Sequence, residues 1–95
     1  MQQPTNPDTD QVLSRFLTDD GRLGTMPTRR SKRLVVLDHI AQRFEPGRTY
    51  PEAEVNEVLI GFHDDYAALR RYLVDEQFLT REANVYWRSG GSIEV

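Results

Sequence analysis

Two short runs carrying aromatic and β-branched residues, Phe78-Leu79-Thr80-Arg81 and Val85-Tyr86-Trp87-Arg88, stand three polar or small residues apart in a chain otherwise patterned for helix. Such residues favour extended backbone, and Glu82-Ala83-Asn84 is short enough to fold the runs into a hairpin. A two-stranded hairpin is at best marginally stable in water, so it must pack against the helices before it. This predicts an α+β chain.

The helices are read from apolar spacing. Between Ser31 and Phe44, the positions Leu34, Leu37, Ile40, Ala41 and Phe44 follow a three-and-four rhythm that ends at Glu45-Pro46-Gly47. Pro51 suits the first position of a second helix, Glu52 and Glu54 favour its amino end, and Val55, Val58 and Leu59 form its apolar face before Gly61. A third opens at His63 or Asp64 and runs through Tyr66, Leu69, Tyr72 and Leu73 to Glu76. Upstream, Asp8 or Thr9 caps a short helix with Val12, Leu13, Phe16 and Leu17 on one stripe. Thr18-Asp19-Asp20-Gly21 is a turn, and Arg22 to Met26 is a candidate third strand stopped by Pro27. The expected architecture is winged-helix-like: three to four helices, a C-terminal two-stranded hairpin and a short third strand. Residues 1–8 read as a loose leader, 9–88 as one domain, and 89–95, with Ser89-Gly90-Gly91-Ser92, as a flexible tail.

Composition narrows the chemistry. The 95 residues include no cysteine, which excludes disulfides, thiol catalysis and thiolate zinc sites. No apolar run approaches the roughly 18 residues of a membrane span, and the opening residues lack a secretory pattern, so a cytoplasmic location and no membrane partner are expected. The net charge of −3 repels nucleic acid as a whole, so any contact with it requires a local basic patch.

Phe16-Leu17-Thr18-Asp19-Asp20-Gly21-Arg22-Leu23, Glu54-Val55-Asn56-Glu57-Val58-Leu59, Asp64-Asp65-Tyr66-Ala67-Ala68-Leu69-Arg70-Arg71 and Phe78-Leu79-Thr80-Arg81 with Tyr86-Trp87-Arg88 together resemble the domain of unknown function 2087, over roughly residues 13–88. Members of that family often follow a regulator-type helix-turn-helix domain. The resemblance therefore implies a bacterial context linked to transcription regulation and supplies no catalytic residue. Pro51 stands where the family usually has a threonine-type helix start.

Arg29, Arg30, Lys32 and Arg33 lie within five positions at the start of the clearest helix, where the dipole disfavours cations by tenths of a kcal/mol up to about 1 each. Either they are a solvated helix start or, with the backbone N–H groups, they offer a phosphate site. On the third helix, Phe62, Tyr66, Leu69, Tyr72 and Leu73 form the core face. Asp64, Ala67, Ala68, Arg71 and Asp75 face outward, a poor set for reading a major groove. Arg70 lies about 100° from Arg71 and is expected to be structural. Arg81 and Arg88, with Tyr86 and Trp87, give the hairpin a surface for a nucleic-acid backbone or a protein, or simply core; either face of the hairpin can be the inward one. His63-Asp64-Asp65 with His39 falls short of the three or four converging ligands a metal needs. No phosphate loop, nucleophile elbow or carboxylate pair is present, so neither enzyme activity nor a cofactor is expected.

Two functions remain. One is an accessory domain of a transcription regulator, with weak, salt-sensitive DNA contact through Arg29, Arg30, Lys32 and Arg33, helped by Arg71, Arg81 and Arg88. The other is a protein-interaction or dimerisation module that does not bind DNA.

Overall fold

A computed structural model of the chain describes residues 7–92. The elements run α1 (Pro7–Phe16), α2 (Arg30–Ala41), β1 (Thr49–Pro51), α3 (Glu52–Ile60), α4 (Tyr66–Asp75), β2 (Leu79–Glu82) and β3 (Val85–Arg88). The three strands form one antiparallel sheet in the order β1-β3-β2. Four helices and this sheet make an α+β fold compatible with a winged-helix-like arrangement, in which β2 and β3 are the C-terminal hairpin.

The third strand is not where the sequence suggested. Arg22 to Met26 contributes only an isolated bridge between Leu23 and Leu17. The sheet is instead completed by Thr49–Pro51, with Tyr50 opposite Tyr86 and Thr49 opposite Trp87. Tyr50 explains the difference: its ring is buried and packs edge-on against Phe44 at 5.1 Å, while its hydroxyl accepts from the Glu45 N–H at 2.7 Å. That anchoring holds the segment extended beside β3. Pro51 then acts as the residue before α3 and not as its first turn, with φ −63° and ψ 152°. Lacking an N–H, it suits the end of an edge strand.

The core is apolar throughout. Val36, Leu37, Ile40 and Ala41 of α2 and Val55 and Leu59 of α3 meet Leu69 and Leu73 of α4 and Leu79 and Tyr86 of the hairpin. Burial of each leucine contributes about 1.5–3 kcal/mol. Val36 is fully buried although it lies outside the apolar rhythm read for α2, whereas Leu34 is only partly covered. Val12, Leu13, Phe16 and Leu17 pack against this core, which gives the stripe of α1 its partner surface.

Helix ends are fixed by side chains that local sequence only partly reveals. The Asp65 carboxylate accepts from the Ala68 N–H at 3.2 Å and caps α4. Arg22 donates to the carbonyls of Ile60 and Gly61 at the carboxyl end of α3 and pairs with Asp64 at 2.9 Å. A cation there complements the helix dipole.

Pro7 and Asp8, placed in the leader, belong to α1, while the rest of the leader lies outside the described residues. Ser92, expected in a flexible tail, donates its N–H and its hydroxyl to the two Asp38 carboxylate oxygens, each at 2.7 Å. The tail beyond Ser92 also lies outside the described residues.

Candidate functional site

The basic run that opens α2 is dispersed by folding. Arg29 precedes the helix and makes no side-chain cap bond. Arg30 reaches the carboxyl end of α4, where its guanidinium grips both oxygens of the capping residue Glu76 at 2.6 and 3.1 Å. This bond holds the Glu76 carboxyl below the usual carboxylate range. Arg33 donates to the carbonyls of Pro27 and Thr28 and lies 5.2 Å from the Tyr72 ring centre. Lys32 borders an open cleft together with Asp10 and Ser14 of α1.

The cost of cations at the start of α2 thus has a structural answer. Arg30 and Arg33 engage residues in the last turn of α4 or just beyond it, where the opposite dipole end favours positive charge. Two of the four residues are committed to joining α2 to α4, and the run does not form one continuous anion site.

Arg88, which is half-buried, is engaged within the fold as well. Its guanidinium donates to the backbone carbonyls of Phe44, at 3.1 Å, of Gly90, at 3.0 Å, and of Ser92. It shares the inward face of β3 with Tyr86, which is 1% exposed. That burial also settles the hairpin's orientation: Val85 and Trp87 face outward, flanked by Thr80 on β2 and Thr49 on β1.

Arg71 and Arg81 come together. With Arg70 they line a groove of about 250 Å³ between the outer side of α4 and the hairpin, walled also by Ala67, Asp75 and Tyr86. Arg70 donates to the Asn56 side-chain oxygen on α3, a structural contact of the kind expected for it. The hairpin, however, closes over the flank of α4, so Arg70 and Arg71 border one groove despite their angular separation on the helix. Arg81 donates through Nε to the Ala83 carbonyl at 3.0 Å and sits 6.0 Å from the Tyr86 ring centre. Tyr86 spends its hydroxyl on Glu52 at 2.8 Å, and burial, aided by that bond, raises its pKa.

Nothing in the local sequence around Asn56 identified it as a partner of Arg70, because the contact spans α3 and α4. Elsewhere, His39, Arg43, Glu54 and Glu57 border an open polar cleft. Burial lowers the His39 pKa. No set of three or more metal-ligating side chains occurs among the described residues, and no described helix is long and apolar enough to cross a membrane.

A family model described as "Uncharacterized protein conserved in bacteria (DUF2087)" matches residues 22–88. The matched segment includes α2 to β3 and therefore every groove residue, while α1 lies outside it. No curated protein and no solved structure matches the chain.

Proposed function

The chain belongs to the DUF2087 family of bacterial proteins, and on that premise we propose that it is a non-enzymatic, winged-helix-like accessory domain of transcription regulation that makes weak contact with nucleic acid. One observation carries the reading: three arginines, Arg70, Arg71 and Arg81, border a single groove where a helix meets a hairpin. The outward residues Ala67, Arg71 and Asp75 offer little for base recognition, so the contact is to the phosphate backbone and poor in sequence preference. Arg29 and Lys32 add long-range attraction at the start of α2. Arg30, Arg33 and Arg88 are engaged within the fold and are not assigned to the interface.

Fluorescence titration of labelled duplex DNA at low and moderate salt tests this proposal. Binding is expected at low salt, weakened by salt and little changed between unrelated sequences. An absence of binding at low salt refutes it.

A second reading is a protein-interaction or dimerisation module. The outward face of the sheet supports it, since Val85 is 39% exposed next to the half-buried Trp87. Sedimentation equilibrium checks self-association through this face. A concentration-dependent dimer lost in Val85→Lys supports this reading, and a strictly monomeric chain rules out self-association.

A further inference from the structure

We infer that the groove between α4 and the hairpin seats one backbone phosphate of a nucleic acid, and that Asn56 is a positioning residue that aims Arg70 at it. This inference rests on the nucleic-acid reading above and adds the contact itself.

Size narrows the ligand. At about 250 Å³ the groove is smaller than the roughly 300–1,000 Å³ of sites that enclose a small-molecule effector. It suits a compact group projecting from a longer chain. Charge narrows it further. Three guanidinium groups border the groove against one carboxylate, that of Asp75.

Their partners are neutral. Arg22, Arg30 and Arg48 each meet a carboxylate, at 2.9, 2.6 and 2.7 Å. Among the described residues Arg70 instead donates to an amide oxygen and Arg81 to a peptide carbonyl, which orient the guanidinium groups without cancelling their charge. Arg71 is exposed and can supply a third fork from the helix side. A backbone phosphodiester carries its two charged oxygens and two ester oxygens in a tetrahedral array, which arms converging from a helix and a hairpin can reach from different directions, whereas the two oxygens of a carboxylate lie in one plane. This favours a phosphodiester over an acidic segment of a protein.

Asn56 tests positioning separately from charge. Asn56→Leu keeps the net charge and nearly the same side-chain size but removes the oxygen that aims Arg70. Duplex DNA affinity is then expected to fall about tenfold and to be restored in Asn56→Gln, which keeps an amide oxygen. An Asn56 with a structural role alone would lower the thermal midpoint of Asn56→Leu and leave its affinity intact. Arg71→Gln is expected to reduce the slope of log affinity against log salt by about 1, the signature of one lost phosphate contact.

NMR titrations of the full chain with duplex DNA, inorganic phosphate and polyglutamate separate the alternatives. The expected result is DNA-induced shifts in the side-chain N–H signals of Arg70, Arg71 and Arg81, with inorganic phosphate giving smaller shifts at equal concentration. Equal shifts from inorganic phosphate would make this a free-anion site, and stronger shifts from polyglutamate a protein-docking site; either outcome overturns the assignment. If DNA binds but the triple variant Arg70→Gln, Arg71→Gln, Arg81→Gln retains full affinity and salt slope, the groove assignment falls while the broader DNA proposal stands. If DNA does not bind at all, both fall.

Discussion

Gln77 and Ala83 hold positive φ angles of 66° and 57°, in the left-handed region that side chains disfavour by about 1–2 kcal/mol. Gln77 is there because α4 ends in a turned-back cap: its N–H donates to the Val74 carbonyl at 3.0 Å, and that of Phe78 to the Leu73 carbonyl at 2.8 Å. Ala83 opens the two-residue loop of the hairpin, between the paired residues Glu82 and Val85. Glycine relieves the steric cost at either site but adds about 0.5–1 kcal/mol of unfolded-state entropy. Gln77→Gly and Ala83→Gly are therefore each expected to stabilise the fold by about 0.5–1 kcal/mol, read as a higher urea midpoint at unchanged slope. Gly90 requires the reverse. A Cβ there would lie 2.4 Å from the Gln77 carbonyl oxygen, a backbone atom that cannot move aside alone. Gly90→Ala is expected to cost about 1–3 kcal/mol in the same measurement.

Among the elements, α3 and β3 share the apolar core and are also joined by a hydrogen bond from the buried Tyr86 hydroxyl to Glu52. Tyr86→Phe keeps the ring packing and removes the bond. Because Glu52 is only half-buried and regains water, the expected loss is about 1 kcal/mol, measured by urea denaturation. Apolar periodicity and breakers made α2, α3, α4 and the hairpin legible in the sequence, since each buries a face that recurs at its own period. The strand Thr49–Pro51 was not legible, because three residues carry no period and their pairing with β3 is non-local. The groove was half legible. Arg71 stood out as an outward base and Arg81 as a hairpin base whose face the sequence left open, but only the closure of the hairpin over α4 brings Arg70 to them. Arg30, Arg33 and Arg88 looked like free cations because local sequence cannot show a partner on another element; Arg30 stays exposed even though Glu76 engages it.

For the molecule as a whole, two groups whose pKa values are lowered by folding, His39 and Glu76, contribute to the response of stability to acid. The neutral form of His39 is favoured in the folded state because burial penalises its charge, so its folded pKa lies below the ordinary histidine value. The unfolded chain then binds a proton first, and stability declines as pH falls below about 6.5 through the folded value. The Glu76 carboxyl is also lowered, by the bond from Arg30, and its contribution has a lower window. It is fully present above the ordinary carboxylate range and lost as pH falls through the depressed folded value. Urea denaturation at about pH 7.5, 5.5 and 3 is expected to show a two-stage loss of stability. His39→Gln should flatten the upper stage and leave the lower one, while Arg30→Gln should do the opposite. Added salt separates them further. It screens the exposed Arg30 partner of Glu76 and shrinks the lower stage, but has little effect on a shift that originates mainly in burial. An upper stage that persists in His39→Gln would locate the first loss in another group.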